Sequence, residues 1–156
     1  MSNEFVSQEV NKIINDKDLE FPKNIAMAAA WILGNKKGIN LKVLDVKGKS
    51  SLSDYFILAS AQNPVQAQAM ADEILTQLKS HGTKSISNEG MHGESDWILL
   101  DLGDILVHIF LEISRGIYDL DSLWAESTQV EIPQSYYFSA PENEEQIAEE
   151  PDKSYF

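Results

Sequence analysis

A chain of 156 residues, 43% hydrophobic and 9% aromatic, suffices for one compact domain with a core and is short for two. A formal net charge of -13 repels a phosphate backbone, which argues against direct DNA or RNA binding and favours encounter with a basic partner. With no cysteine, disulfides, thiolate nucleophiles and cysteine-ligated zinc or iron–sulfur sites are excluded, and no run approaches the ~18 apolar residues of a membrane span.

In chain order, Phe5, Val6, Val10, Ile13 and Ile14 fall roughly at helical spacing, so the first 20 residues are expected to hold a short helix. The first 24 residues carry five acids, three lysines and no arginine, opposite to a transit peptide, and the expected location is the cytoplasm. Pro22 fits a first helical turn, and Ile25, Ala28, Ala29 and Ile32 recur at i, i+3, i+4 and i+7. The reading is an amphipathic helix closed by Lys36, Lys37 and a C-cap at Gly38.

Two strand-like runs follow, Leu41 to Val46 and Tyr55 to Ala59. The second is apolar throughout, as a central strand covered on both faces would be. Asn63 and Pro64 open a helix with Ala67, Met70, Ala71, Ile74 and Leu78 on one face and Gly82 at its end, and a strand is expected near Lys84 to Ser87. Trp97 to Leu111 reads as two strands joined by a tight turn in which Gly103 takes a positive φ and Leu102 stands at an exposed tip. A short helix from about Asp119 to Glu126 completes an α/β (α+β) fold: a mixed sheet, with an antiparallel hairpin near its end and helices packed on it.

The expected division is an N-terminal extension over 1–21, a domain over 22–128 and an acidic tail over 129–156, disordered from Pro141. From Gln129 onward there are seven acids and one lysine, against thirteen acids and eight bases between Ile25 and Thr128.

The stretch GKSS at Gly48 to Ser51 matches the end of a phosphate-binding loop, but the required first glycine falls at Val43. Continued to GKSSLSDYF, it matches a nucleotidyltransferase site in which two aspartates one residue apart hold metals. Here Asp54 is present and Phe56 takes the second position. The serines and Asp54 are read instead as bonding the turn's own backbone. His81, His92 and His108 lack metal-ligand spacing, and no serine sits in a nucleophile elbow, so neither metal, cofactor nor catalytic residues are expected.

Three blocks carry a family resemblance: LDVKGKSSLSDYFILASA at Leu44 to Ala61, EGMHGESDWILLDLGDILVHIF at Glu89 to Phe110, and YDLDSLW at Tyr118 to Trp124. They resemble the ribosomal silencing factors, the Iojap or RsfS family, over about Ile25 to Trp124, with departures at Phe110, Leu111 and Gly116. The resemblance implies a nucleotidyltransferase-like fold without catalysis. It implies docking on the large ribosomal subunit through ribosomal protein fourteen, blocking the small subunit and lowering translation when nutrients run short, with homodimers off the ribosome. The residues it singles out for the partner are Trp97, Asp101, Leu102, Asp104, Arg115 and Tyr118, with Trp97 as aromatic anchor, Leu102 as a wedge and the aspartates pairing with basic side chains. From the residues alone, the favoured readings are Trp97 as a core residue, Leu102 as a turn residue and the aspartates as turn caps, with Arg115 a partner of Glu112. The competing functions are a nucleotidyltransferase-like enzyme and a protein-interaction adaptor with no ribosomal partner.

Overall fold

The structure is a computed structural model that describes residues 3–92 and 95–138. Its elements are α1 (Asn3–Ile14), α2 (Lys23–Asn35), β1 (Ile39–Asp45), β2 (Tyr55–Ala61), α3 (Pro64–Ser80), β3 (Ser87–Glu89), β4 (Trp97–Asp101), β5 (Ile105–Leu111), α4 (Glu112–Tyr118), α5 (Leu120–Leu123), β6 (Thr128–Val130) and a 3-10 turn (Gln134–Tyr136). The strands form one sheet in the order β3-β4-β5-β2-β1-β6, in which β2 and β5 run parallel and the other neighbours antiparallel. This is the mixed sheet with packed helices expected of the α+β class.

Strand β2 explains the rest of the layout. All seven of its residues are buried, because alternate side chains of a central strand enter cores on opposite faces. Tyr55, Ile57, Ala59 and Ala61 join the larger core with α2 and α3, whereas Phe56 and Leu58 join Leu44, Val46 and Leu106 in a smaller one on the other face. Leu120 of α5 and Trp124 close that second core. Helix α3 starts as its sequence indicates, with the Asn63 side chain accepting from Gln66 N–H at 2.8 Å.

Helix α2 is not amphipathic as expected. Ten consecutive residues, Ile25 to Gly34, are buried, the pattern of a helix enclosed on all sides. The enclosing parts are the two segments expected to flank the domain. Val6 and Val10 of α1 are buried in the main core, and Phe5 meets Trp31 with ring centroids 6.2 Å apart. On the other side, β6 pairs with β1, and residues 131–138 continue as a strap over α2, where Phe138 N–H donates to Gly34 O at 3.1 Å. A Cβ at Gly34 would collide with the Tyr136 carbonyl, so glycine is needed for this close approach. The folded unit therefore runs past the expected boundary at Thr128 to Phe138. The expected disorder from Pro141 falls outside the described residues.

Two further expectations change. The left-handed residue ending α2 is Lys37, with φ 70°, while Gly38 serves close packing against Leu33 and Met70. The strand expected near Lys84 to Ser87 lies instead at Ser87–Glu89, where β3 pairs with β4 and covers the outer edge of the hairpin.

Candidate functional site

The loop that partly matches phosphate- and metal-binding motifs is spent mainly on structural bonds. It links antiparallel β1 to β2, and no helix follows it to point at an anion. The Ser50 hydroxyl accepts from Leu52 N–H at 3.0 Å, Ser53 donates to Tyr55 O at 3.1 Å, and Lys49 donates to Glu126 O at 2.8 Å. Phe56, at the second metal-ligand position, is 3% exposed and packs edge-on against His108 and Trp124 at 5.3 and 4.9 Å. Position 56 thus belongs to an aromatic core. Of the three histidines, His81 caps the end of α3 through Gln77 O, and His108 lies inside the sheet.

The six residues singled out for a partner separate into three groups. Trp97 and Tyr118 come together, their rings 4.7 Å apart, with Trp97 also against Phe110 at 4.9 Å. Trp97 is partly buried and Tyr118 is 46% exposed, so Trp97 forms both the floor of the site and part of its surface. Asp96 ties the neighbouring elements: its carboxylate accepts from Ser114 Oγ at 2.9 Å and from the Tyr118 hydroxyl at 3.5 Å.

Asp101, Leu102 and Asp104 stand at the far end of β4, about 13 Å away at the rise of an extended strand. Leu102 is 5% exposed and is not a wedge. Its N–H donates to Ile105 O, and its side chain turns inward beside Ile25 and Ile105 along a cavity of about 200 Å³. The tip falls instead to Gly103, with φ 89°. Asp101 accepts from Gly103 N–H at 3.0 Å, a local turn cap, whereas Asp104 is exposed.

Arg115 is also not on the surface, being 5% exposed. Its guanidinium grips Asp121 with two bonds of 2.8 and 3.1 Å and donates to Ser60 Oγ at 3.0 Å, so its partner is Asp121 rather than Glu112. Lys42 reaches the same carboxylate at 2.7 Å. The Arg115 bonds hold the Asp121 carboxyl well below the usual carboxylate range, against a smaller opposing effect of burial. This cluster fixes α5 to the sheet across the bend at Asp119, whose φ is 53°.

Pinned at both ends, α4 turns an apolar face outward. Ile113 and Ile117, one helical turn apart, are 79% and 73% exposed, and Leu123 of α5 is 71% exposed. Of eleven exposed large hydrophobic residues among those described, four (Ile113, Ile117, Tyr118 and Leu123) fall within this short segment, which makes it the candidate interaction surface. From Asp96 to Glu126 the chain has seven carboxylates and one base, the buried Arg115. The rim is acidic. Sequence reasoning missed Ile113 and Ile117, although their i, i+4 spacing was legible, because no helix was expected there.

The chain matches the family described as "Ribosomal silencing factor during starvation" over residues 19–155. It is 34% identical over 110 residues to the ribosomal silencing factor RsfS of Bacillus subtilis, covering 70% of this chain and 92% of the relative. With the factor of Haemophilus influenzae it shares 39% over 93 residues, covering 60% and 90%. A crystal structure of a Chromobacterium violaceum protein superposes with a TM-score of 0.60 at 29% identity, covering 76% of this chain and 85% of that one. The chain belongs to the ribosomal silencing factor family.

Proposed function

We propose that this protein binds the large ribosomal subunit in the cytoplasm through ribosomal protein fourteen. Seated there, it occupies the face that the small subunit would meet and so represses translation under nutrient limitation. The reading rests on family membership, and one observation carries it at the level of chemistry. The exposed face of Ile113, Ile117 and Tyr118 beside Trp97 lies within a segment whose exposed charges are acidic, matching a partner with an apolar patch framed by lysine and arginine. Aromatic and aliphatic groups at the centre supply affinity, and the acidic rim speeds encounter with a basic surface.

The mechanism is steric occlusion and needs no catalytic group. Phe56 stands where a second metal-binding carboxylate would have to be, which supports a regulatory role over nucleotidyl transfer. Off the ribosome, a second copy would cover the same apolar face. Cosedimentation of the purified chain with isolated subunits tests the reading: binding to large subunits and not to small ones is expected, and binding to neither would refute it.

A further inference from the structure

The indole of Trp97 has its one polar atom turned inward, with Nε1–H donating to Nδ1 of His108 at 3.3 Å. An accepting Nδ1 places the proton of a neutral imidazole on Nε2. Burial first, and the Arg115 guanidinium second, lower the pKa of His108 to about 4, so the ring remains an acceptor at neutral pH.

Stability alone does not explain an imidazole here. Nε2 has no hydrogen-bond partner among the described residues, and a buried polar group left unpaired is costly. The ring sits among aromatics, edge-on to Phe56 at 5.3 Å and stacked on Phe110 at 6.3 Å, where a phenylalanine would serve without an orphaned N–H. What histidine adds is the bond to Trp97. Packing between Phe110 and Tyr118 restrains the indole plane, but the second side-chain torsion of tryptophan has broad, roughly two-fold minima that packing distinguishes poorly. A hydrogen bond from one edge of the indole selects one of them.

We propose that His108 is a positioning residue for docking: it holds the Trp97 indole from behind in the orientation presented to the partner, so the ring need not be ordered on binding. This rests on the reading of the Trp97 and α4 surface as the docking face. The residue touches no partner itself.

The test uses the full chain labelled with ¹⁵N-tryptophan, which gives indole signals from Trp31, Trp97 and Trp124, together with binding to isolated large subunits. His108→Phe keeps the ring and removes the acceptor. It is expected to move the Trp97 indole signal and weaken binding about three- to tenfold, the scale of one hydrogen bond. Asparagine can place an acceptor where Nδ1 stands and glutamine cannot, so His108→Asn should bind better than His108→Gln. On a Trp97→Phe background, which has no indole N–H to hold, His108→Phe should add no further loss. The Asn and Gln pair keeps the comparison decisive even where His108→Phe fails to fold, and equal binding by the two overturns the assignment. Unchanged binding in His108→Phe alongside lost binding in Trp97→Ala overturns the positioning role and leaves the docking face standing. Unchanged binding in Trp97→Ala removes the docking face and the role of His108 with it.

Discussion

The two faces of the sheet are closed by different physics. On one, α1, α2, α3 and the strap over residues 131–138 bury a continuous apolar core in which Ala26, Ala28, Ala29 and Ala30 let the layers approach closely. On the other, two short helices close a smaller core through Leu120 and Trp124 and are tied down by polar contacts, Arg115 and Lys42 on Asp121 and Asp96 on Ser114, while Ile113, Ile117 and Leu123 are exposed. Hydrophobic burial can make the first face stable because its large core is covered. The second face leaves Ile113, Ile117 and Leu123 exposed, and ion pairs and hydrogen bonds supplement its smaller core.

That contrast breaks first at Asp121. Asp121→Ala leaves the buried Arg115 cation without its carboxylate and should cost about 3 to 4 kcal/mol in urea unfolding, with large-subunit binding falling as α5 loosens. Full stability in this variant would show that α4 and α5 are held by packing alone.

Acidification acts on the same face through His108. Its folded pKa, about 4, lies below the ordinary 6.5, so between these values the unfolded chain takes up a proton that the folded one refuses. Stability is therefore complete above about pH 6.5 and falls as pH drops toward 4. At 1.36 kcal/mol per pH unit the loss amounts to about 3 kcal/mol. Thermal unfolding against pH should show this slope in the wild type and a flatter one in His108→Phe.

On the opposite face, Gly34→Ala pushes a methyl group into the Tyr136 carbonyl and should cost about 2 kcal/mol through displacement of the strap, with binding to large subunits unchanged. Reduced binding would mean that the strap takes part in docking. The smallest effect is expected from Asp104→Lys, an exposed residue at the remote hairpin tip: about a threefold slower association, fading at high salt. Association kinetics at two ionic strengths check it.

How much of this was legible follows from where the local signal resides. The apolar run of β2, the Asn63 cap with its periodic face and the glycine turn of the hairpin each carry their signal within a few residues, and each is where the sequence indicated. Helix α4 was not anticipated: it contains Gly116 and β-branched Ile113 and Ile117, and has no side-chain cap at Leu111. It is supported by contacts that local propensity does not register, Ser114 and Tyr118 on Asp96, Tyr118 on Trp97, and Arg115 on Ser60. For the same reason Arg115 and Leu102 were assigned to the surface, since only the folded chain shows that one reaches Ser60 and the other turns under the hairpin. The enclosure of α2 by α1 and the strap was also hidden, because both segments look polar when read alone.

The absence of cysteine allows the docking face to be located directly, by thiol footprinting of two single-cysteine variants, Ile117→Cys on the α4 face and Val65→Cys on α3. Both native side chains are largely exposed, at 73% and 79%, so both new thiols should react freely with an alkylating reagent in the unbound protein. With large subunits added, position 117 is expected to be protected and position 65 to stay reactive. Protection at 65 with 117 still reactive would place the partner on the helix-covered face and contradict the account.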